Sequence, residues 1–120
     1  MGLTASCHCG AVTIELAEAP DSLTECNCSV CYRYGALWAY GTRQTITVKA
    51  HADKLRYYCW GDKCIEFYHC QRCGCLTHYE SVEKSLDSRV AVNARMLPPV
   101  HIQTLKIRRF DGADSWQFLD

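Results

Sequence analysis

The sequence predicts a mainly β fold, and three observations carry the prediction. β-Branched and aromatic residues recur in short runs with a period of two, Gly, Pro and Asp punctuate those runs, and no apolar stretch is long enough to span a bilayer. At 120 residues the chain is one domain's worth of sequence, so residues 1–120 are read as a single domain. An apolar fraction of 48% with 22% charged residues predicts a soluble protein with no membrane partner.

The first strand is expected over Ala11–Leu16, where Val12, Ile14 and Leu16 alternate with smaller or polar residues, and Pro20-Asp21-Ser22 ends it. The run from Cys26 to Cys31 then reads as a loop or short turn. Ala36–Tyr40, Thr45–Val48 and Leu55–Trp60 read as strands of a meander or of two packed sheets, separated by Gly41 and His51-Ala52-Asp53. Gly61-Asp62 suits a two-residue hairpin turn whose register would set Cys59 opposite Cys64, two small apolar residues on neighbouring strands. A short helix is expected near Glu80–Asp87. Arg89–Ala94 and Ile102–Phe110 complete the strands, with Pro98-Pro99 forcing a loop between them.

Ten cysteines in so short a chain demand either disulfides or metal. The first residues carry neither the basic nor the apolar region of a secretory signal, which favours a reducing cytoplasm, where thiols persist as ligands or nucleophiles. Most of the cysteines fall into three clusters: Cys7-x-Cys9, Cys26-x-Cys28-x-x-Cys31 and Cys70-x-x-Cys73-x-Cys75. Such spacing lets one short loop present two or three sulfurs to a single ion, whereas Cys-x-Cys neighbours rarely meet disulfide geometry with each other. Soft thiolates select zinc, copper(I) or iron–sulfur clusters, and a mononuclear four-sulfur site in a β-rich domain most often holds zinc. Cys70-Gln71-Arg72-Cys73-Gly74 is a rubredoxin-like knuckle that supplies two ligands, and Cys7 with Cys9 would complete a closed site. Cys26, Cys28 and Cys31 form a compact three-sulfur claw. Its fourth position is either open, the pattern of catalytic zinc, or closed by Cys75, Cys64, Cys59 or His69. His8, His51, His78 and His101 read as surface or hydrogen-bonded side chains.

Thirteen basic and thirteen acidic side chains balance to zero. A four-thiolate and a three-thiolate zinc would carry the loaded chain to about −3, which excludes electrostatic capture of nucleic acid.

Ser6-Cys7-His8-Cys9-Gly10-Ala11-Val12, Cys26-Asn27-Cys28-Ser29-Val30-Cys31 and His69-Cys70-Gln71-Arg72-Cys73-Gly74 closely resemble the motifs of the glutathione-dependent formaldehyde-activating (GFA) family, which also includes the centromere protein V domain. Val92-Asn93-Ala94-Arg95 and Phe110-Asp111-Gly112 extend the resemblance over nearly the whole chain. It implies a β-tent of small antiparallel sheets, a structural zinc on Cys7, Cys9, Cys70 and Cys73, and a second zinc on Cys26, Cys28 and Cys31. It further implies a carbon–sulfur lyase or synthase acting on the adduct of glutathione and formaldehyde. Cys75 departs from the pattern, since the family commonly has threonine after the knuckle glycine.

An open zinc on Cys26, Cys28 and Cys31 would take a substrate thiol as fourth ligand and hold it as thiolate near neutral pH. Arg33, Tyr32 and Tyr34 stand next to the claw in sequence and are candidates for orienting a carboxylate or the adduct's hydroxyl. Trp38 and Tyr40 read more simply as packing aromatics than as a substrate wall. The alternative from another class is a non-catalytic zinc module that binds a protein partner or chromatin.

Overall fold

The computed structural model describes residues 2–59 and 65–120, and it is mainly β, as the residue pattern predicts. In chain order the elements are β1 (Leu3–Ser6), β2 (Thr13–Leu16), β3 (Ser22–Cys26), α1 (Ser29–Tyr34), β4 (Trp38–Thr42), β5 (Ile46–Lys49), β6 (Leu55–Cys59), β7 (Ile65–Cys70), β8 (Leu76–Ser81), β9 (Arg89–Asn93) and β10 (Lys106–Phe110). Three short 3₁₀ turns join them. Among the described residues no helix is long and apolar enough to cross a membrane.

The strands form a three-stranded sheet, β1-β2-β5, and a seven-stranded sheet in the order β10-β3-β4-β9-β8-β7-β6. Neighbours are antiparallel except at one edge, where β10 returns parallel to β3 with Ile107 opposite Leu23. Residues on successive positions of a strand face opposite sides of a sheet, so two rows cross the centre of the larger one. Ala39, Val92 and His78 form one row, and Tyr40, Ala91, Tyr79 and Phe67 form the other.

The first row faces the smaller sheet. Ala5, Ile14, Leu16 and Ile46 pack there against Ala39, Val90 and Val92, all buried, and this is the main core. Also on that side, His78 is fully buried, stacked on Tyr68, with its ring nitrogens 2.8 Å from the Thr77 hydroxyl and 3.1 Å from the Glu80 carboxylate. The second row builds a smaller aromatic cluster of Trp38, Phe67 and Tyr79. The Trp38–Tyr79 and Phe67–Tyr79 pairs meet edge to face at 4.8 and 5.6 Å, an arrangement worth about 0.5–1.5 kcal/mol per pair beyond area burial.

The helix expected near Glu80–Asp87 is not there. Glu80 and Ser81 continue β8, and the segment after them turns because side chains capture its backbone groups: the Ser88 hydroxyl accepts the Ser85 N–H, and Lys84 donates to the Ser81 carbonyl. The one α-helix among the described residues lies in the second cysteine cluster, where a loop or turn is expected from sequence. The Cys28 thiolate position accepts the Cys31 N–H as an N-cap, and Gly35, at φ 65° in the left-handed region, donates its N–H to the Cys31 and Tyr32 carbonyls to end it. The β6–β7 register places Cys59 opposite Glu66, not opposite Cys64. The hairpin turn itself, Trp60 to Cys64, lies outside the described residues.

Candidate functional site

Two groups of thiols come together. In the first, Cys7 and Cys9 come from the turn between β1 and β2, and Cys70 and Cys73 from the end of β7 and the turn after it. Their four sulfurs lie within 4.8 Å of one another, with Cys7–Cys9 at 3.7 Å and Cys9–Cys70 at 3.6 Å. A disulfide would need about 2.05 Å. Sulfurs placed tetrahedrally about 2.3 Å from one zinc stand about 3.8 Å apart, so the spacing fits a shared metal ion.

Both turns use the same device. Gly10 and Gly74, each one residue past a cysteine, sit at φ 82° and 81°, a conformation glycine adopts without a Cβ clash. The bends bring backbone N–H groups toward sulfur, as where Val12 N–H donates to Cys7 Sγ at 3.3 Å. Burial opposes ionisation of Cys73, but the Cys75 and Cys9 amides and the Cys7 and Cys70 thiols outweigh it and hold Cys73 down at about 5. Cys75 sits beside Cys73 with the His8 amide on its sulfur, so it belongs to the neighbourhood of this cluster and does not close the claw.

The second group is local. Cys26 ends β3, Cys28 caps α1 and Cys31 stands in its first turn, so one bend and one helical turn gather all three sulfurs within 4.8 Å. Among the described residues no further Cys, His, Asp or Glu joins them at that distance. The Cys31 thiol donates to Cys26 and, against the effect of burial and with help from the Cys28 and Gly112 amides, holds Cys26 down at about 6. Cys31, sharing its proton with Cys26 and well buried, is pushed up. Three sulfurs this close, one of them eased toward its thiolate, are a donor set for a soft divalent cation.

Cys26, Cys28 and Cys31 line a cavity of about 690 Å³ on the aromatic side of the larger sheet. Trp38, Phe67 and Tyr79 form one wall from the middle of the sheet, and Phe110, Trp116 and Phe118, from the β10 edge and the segment after it, form a second. The second wall is anchored through Asn27, the residue between Cys26 and Cys28. Its side chain donates to Asp111 Oδ1 at 3.0 Å and accepts the Ala113 N–H at 3.0 Å, while its backbone N–H donates to the Phe110 carbonyl. Gly112 passes so close that a Cβ there would stand 2.6 Å from Cys26 Sγ.

Arg33 and Tyr34, the side chains expected to contact substrate, stand on α1 beside the claw. Arg33 donates to the Ser29 carbonyl of its own helix at 3.0 Å, and Tyr34 rests on Phe67 at 5.6 Å; neither lines the cavity. The helix directs Arg33 along its own surface and Tyr34 onto Phe67, outside the lining. Tyr40 and Arg89, a diagonal pair across β4 and β9 in which Arg89 stands opposite Thr42, line the cavity, with the Arg89 guanidinium 4.5 Å over the Tyr40 ring. Trp38 serves both purposes: it is a core residue at 1% exposure and part of the cavity wall, and its buried indole N–H has no partner among the described residues.

The model of the glutathione-dependent formaldehyde-activating enzyme family matches residues 2–104. Among solved structures, the crystal structure of a Rhodobacter sphaeroides protein, a structural-genomics target, superposes with a TM-score of 0.70 at 29% identity, covering 88% of this chain and 99% of that one.

Proposed function

Because the chain belongs to the glutathione-dependent formaldehyde-activating enzyme family, we propose that it is a zinc-dependent carbon–sulfur lyase or synthase acting on the adduct of a thiol such as glutathione with formaldehyde. The observation that carries this reading is the three-thiol cluster opening into an aromatic cavity. A zinc ion on Cys26, Cys28 and Cys31 would supply Lewis acidity and a soft fourth position that favours a substrate sulfur as its thiolate. In the lyase direction the hydroxymethyl adduct loses its hydroxyl proton, the carbon–sulfur bond breaks with its electron pair on sulfur, and formaldehyde and thiolate leave. The synthetic direction is the reverse.

The protein's own residues prepare that exchange. The Cys28 and Gly112 amides fix Cys26, α1 fixes Cys28 and Cys31 one turn apart, and Trp38, Phe67 and Tyr79 exclude water beside them. The first cluster, holding a second zinc on Cys7, Cys9, Cys70 and Cys73, contributes folding energy rather than chemistry. Thiol ligands at both clusters suit a reducing compartment such as the cytoplasm. A purely structural or chromatin-binding module gives no account of a deep aromatic cavity beside three thiols, and the zero formal charge disfavours a phosphate backbone as partner.

Cobalt substitution tests the reading. The protein should take up two cobalt ions per chain, and glutathione should shift the absorption of one of them alone, the one removed by Cys28→Ser. Two cobalt spectra indifferent to every thiol would overturn it.

A further inference from the structure

We infer that Arg89, with Tyr40 and Tyr79, is the anchor for a carboxylate carried by the thiol substrate, so that the cavity holds its ligand by sulfur at one end and by an anion at the other. The inference rests on the proposed thiol chemistry and names what the same cavity selects.

Arg89 is the single cationic side chain lining the cavity and forms no ion pair among the described residues. Its guanidinium lies over the Tyr40 ring and approaches the Tyr79 hydroxyl. Tyr79 is a buried phenol that burial keeps protonated, so its O–H remains a donor. A guanidinium over an aromatic face and a neighbouring phenol form a set of donors suited to the two oxygens of a carboxylate. Arg89 itself is exposed, so the anchor stands toward the open side.

Register gives the ruler. Trp38 pairs with Asn93, and Tyr40 with Ala91, two residues further along. At about 3.4 Å per residue, the guanidinium over Tyr40 stands about 7 Å along the strand from the level of Trp38, which packs in the same cluster as Cys31. With Thr24 opposite Trp38 on antiparallel β3, Cys26 stands two residues beyond Trp38 on the side away from Tyr40, so a carboxylate at the guanidinium lies several bonds from the sulfur, a separation glutathione's terminal carboxylates allow and thioglycolate's does not.

Charge gives a second reason. Three thiolates around a divalent ion carry −1, and a substrate thiolate makes the site −2. A substrate with its own carboxylate would be repelled from an uncompensated apolar cavity, and Arg89 supplies the compensation.

The test titrates cobalt-loaded full-length protein with glutathione and with its diethyl ester, in the parent chain, Arg89→Gln and Arg89→Lys. The parent should bind glutathione about tenfold more tightly than the ester, Arg89→Gln should bind both with the ester's affinity, and Arg89→Lys should fall between. Equal binding of both ligands by the parent, or an equal loss of both in Arg89→Gln, overturns the anchor and leaves the thiol chemistry standing. If no thiol perturbs cobalt, the thiol chemistry fails, and a sulfur-free probe decides the anchor alone. Quenching of tryptophan fluorescence by 5-phenylpentanoate that disappears in Arg89→Gln sustains the anchor, and its absence in the parent removes it.

Discussion

The two thiol clusters use the same atoms to opposite ends. The four-thiol cluster joins parts of the chain 61 positions apart, Cys9 and Cys70, and its glycine turns wrap it in backbone against the main core. The three-thiol cluster draws all its sulfurs from Cys26 to Cys31 and lines a cavity. A metal ion in the first closes a long loop and its binding energy is folding energy; one in the second adds little to the fold and keeps a place for a ligand. Spacing along the chain therefore separates a cross-link from a reaction centre even when every ligand is cysteine.

The largest effect that would break this contrast is expected at Cys70. Structural zinc in small domains binds with about 10–16 kcal/mol, so Cys70→Ser should abolish the cooperative thermal transition. Cys28→Ser should melt within a few degrees of the parent while metal content falls from about two ions to about one per chain, as measured by elemental analysis. Loss of folding in both variants would make both clusters structural and end the distinction.

A smaller effect sharpens it. In Gly112→Ala the new Cβ stands 2.6 Å from Cys26 Sγ and 3.3 Å from Cys28 Cβ, so the claw or the segment that covers it must shift. Chelator competition should show about tenfold faster metal loss from one site of two, with stability lowered by about 1–3 kcal/mol, the range for overpacking.

The smallest effect should leave both clusters alone. Glu80 is held below the usual carboxylate range, first by its hydrogen bond with His78 and then, against burial, by Lys84 and Arg43. A carboxyl depressed in the folded state stabilises above its unfolded value, and that stability is lost as pH falls through the folded value. Glu80→Gln should therefore cost about 1–2 kcal/mol at pH 7 in denaturant melts, with the difference from the parent shrinking below about pH 4.5 and both metals retained throughout.

Both clusters are legible in the sequence because a metal needs its ligands within a few ångströms, and loops achieve that with fixed short spacings that leave a pattern. Val12-Thr13-Ile14-Glu15-Leu16 is legible for a similar reason, since one face of that strand meets the core. α1 is hidden by its own residues: a cysteine cap and a run of tyrosines read as loop or strand, and only the Cys28 sulfur on the Cys31 N–H with Gly35 behind it makes the turn helical. The cavity is hidden by topology. Arg89 reaches Tyr40 only because β9 lies beside β4, and Phe110 reaches Cys26 only because β10 returns parallel to β3, neighbours that no local pattern specifies. Arg33 and Tyr34 were the nearest polar candidates along the chain, and α1 keeps both off the cavity lining.

That parallel return also sets an order of events. Asn27 and Asp111 are 84 positions apart, and β3 remains a sheet edge until Lys106–Phe110 docks against it. On a growing polypeptide, the claw leaves the ribosome long before its outer wall has been translated. For that interval Cys26, Cys28 and Cys31 stand open to whatever metal or oxidant the surroundings hold, and long-range pairing of this kind is the slow part of folding. Phe110, Trp116 and Phe118 line the cavity beside the claw only after that docking, so during synthesis the three thiols meet metal without the wall that later stands next to them.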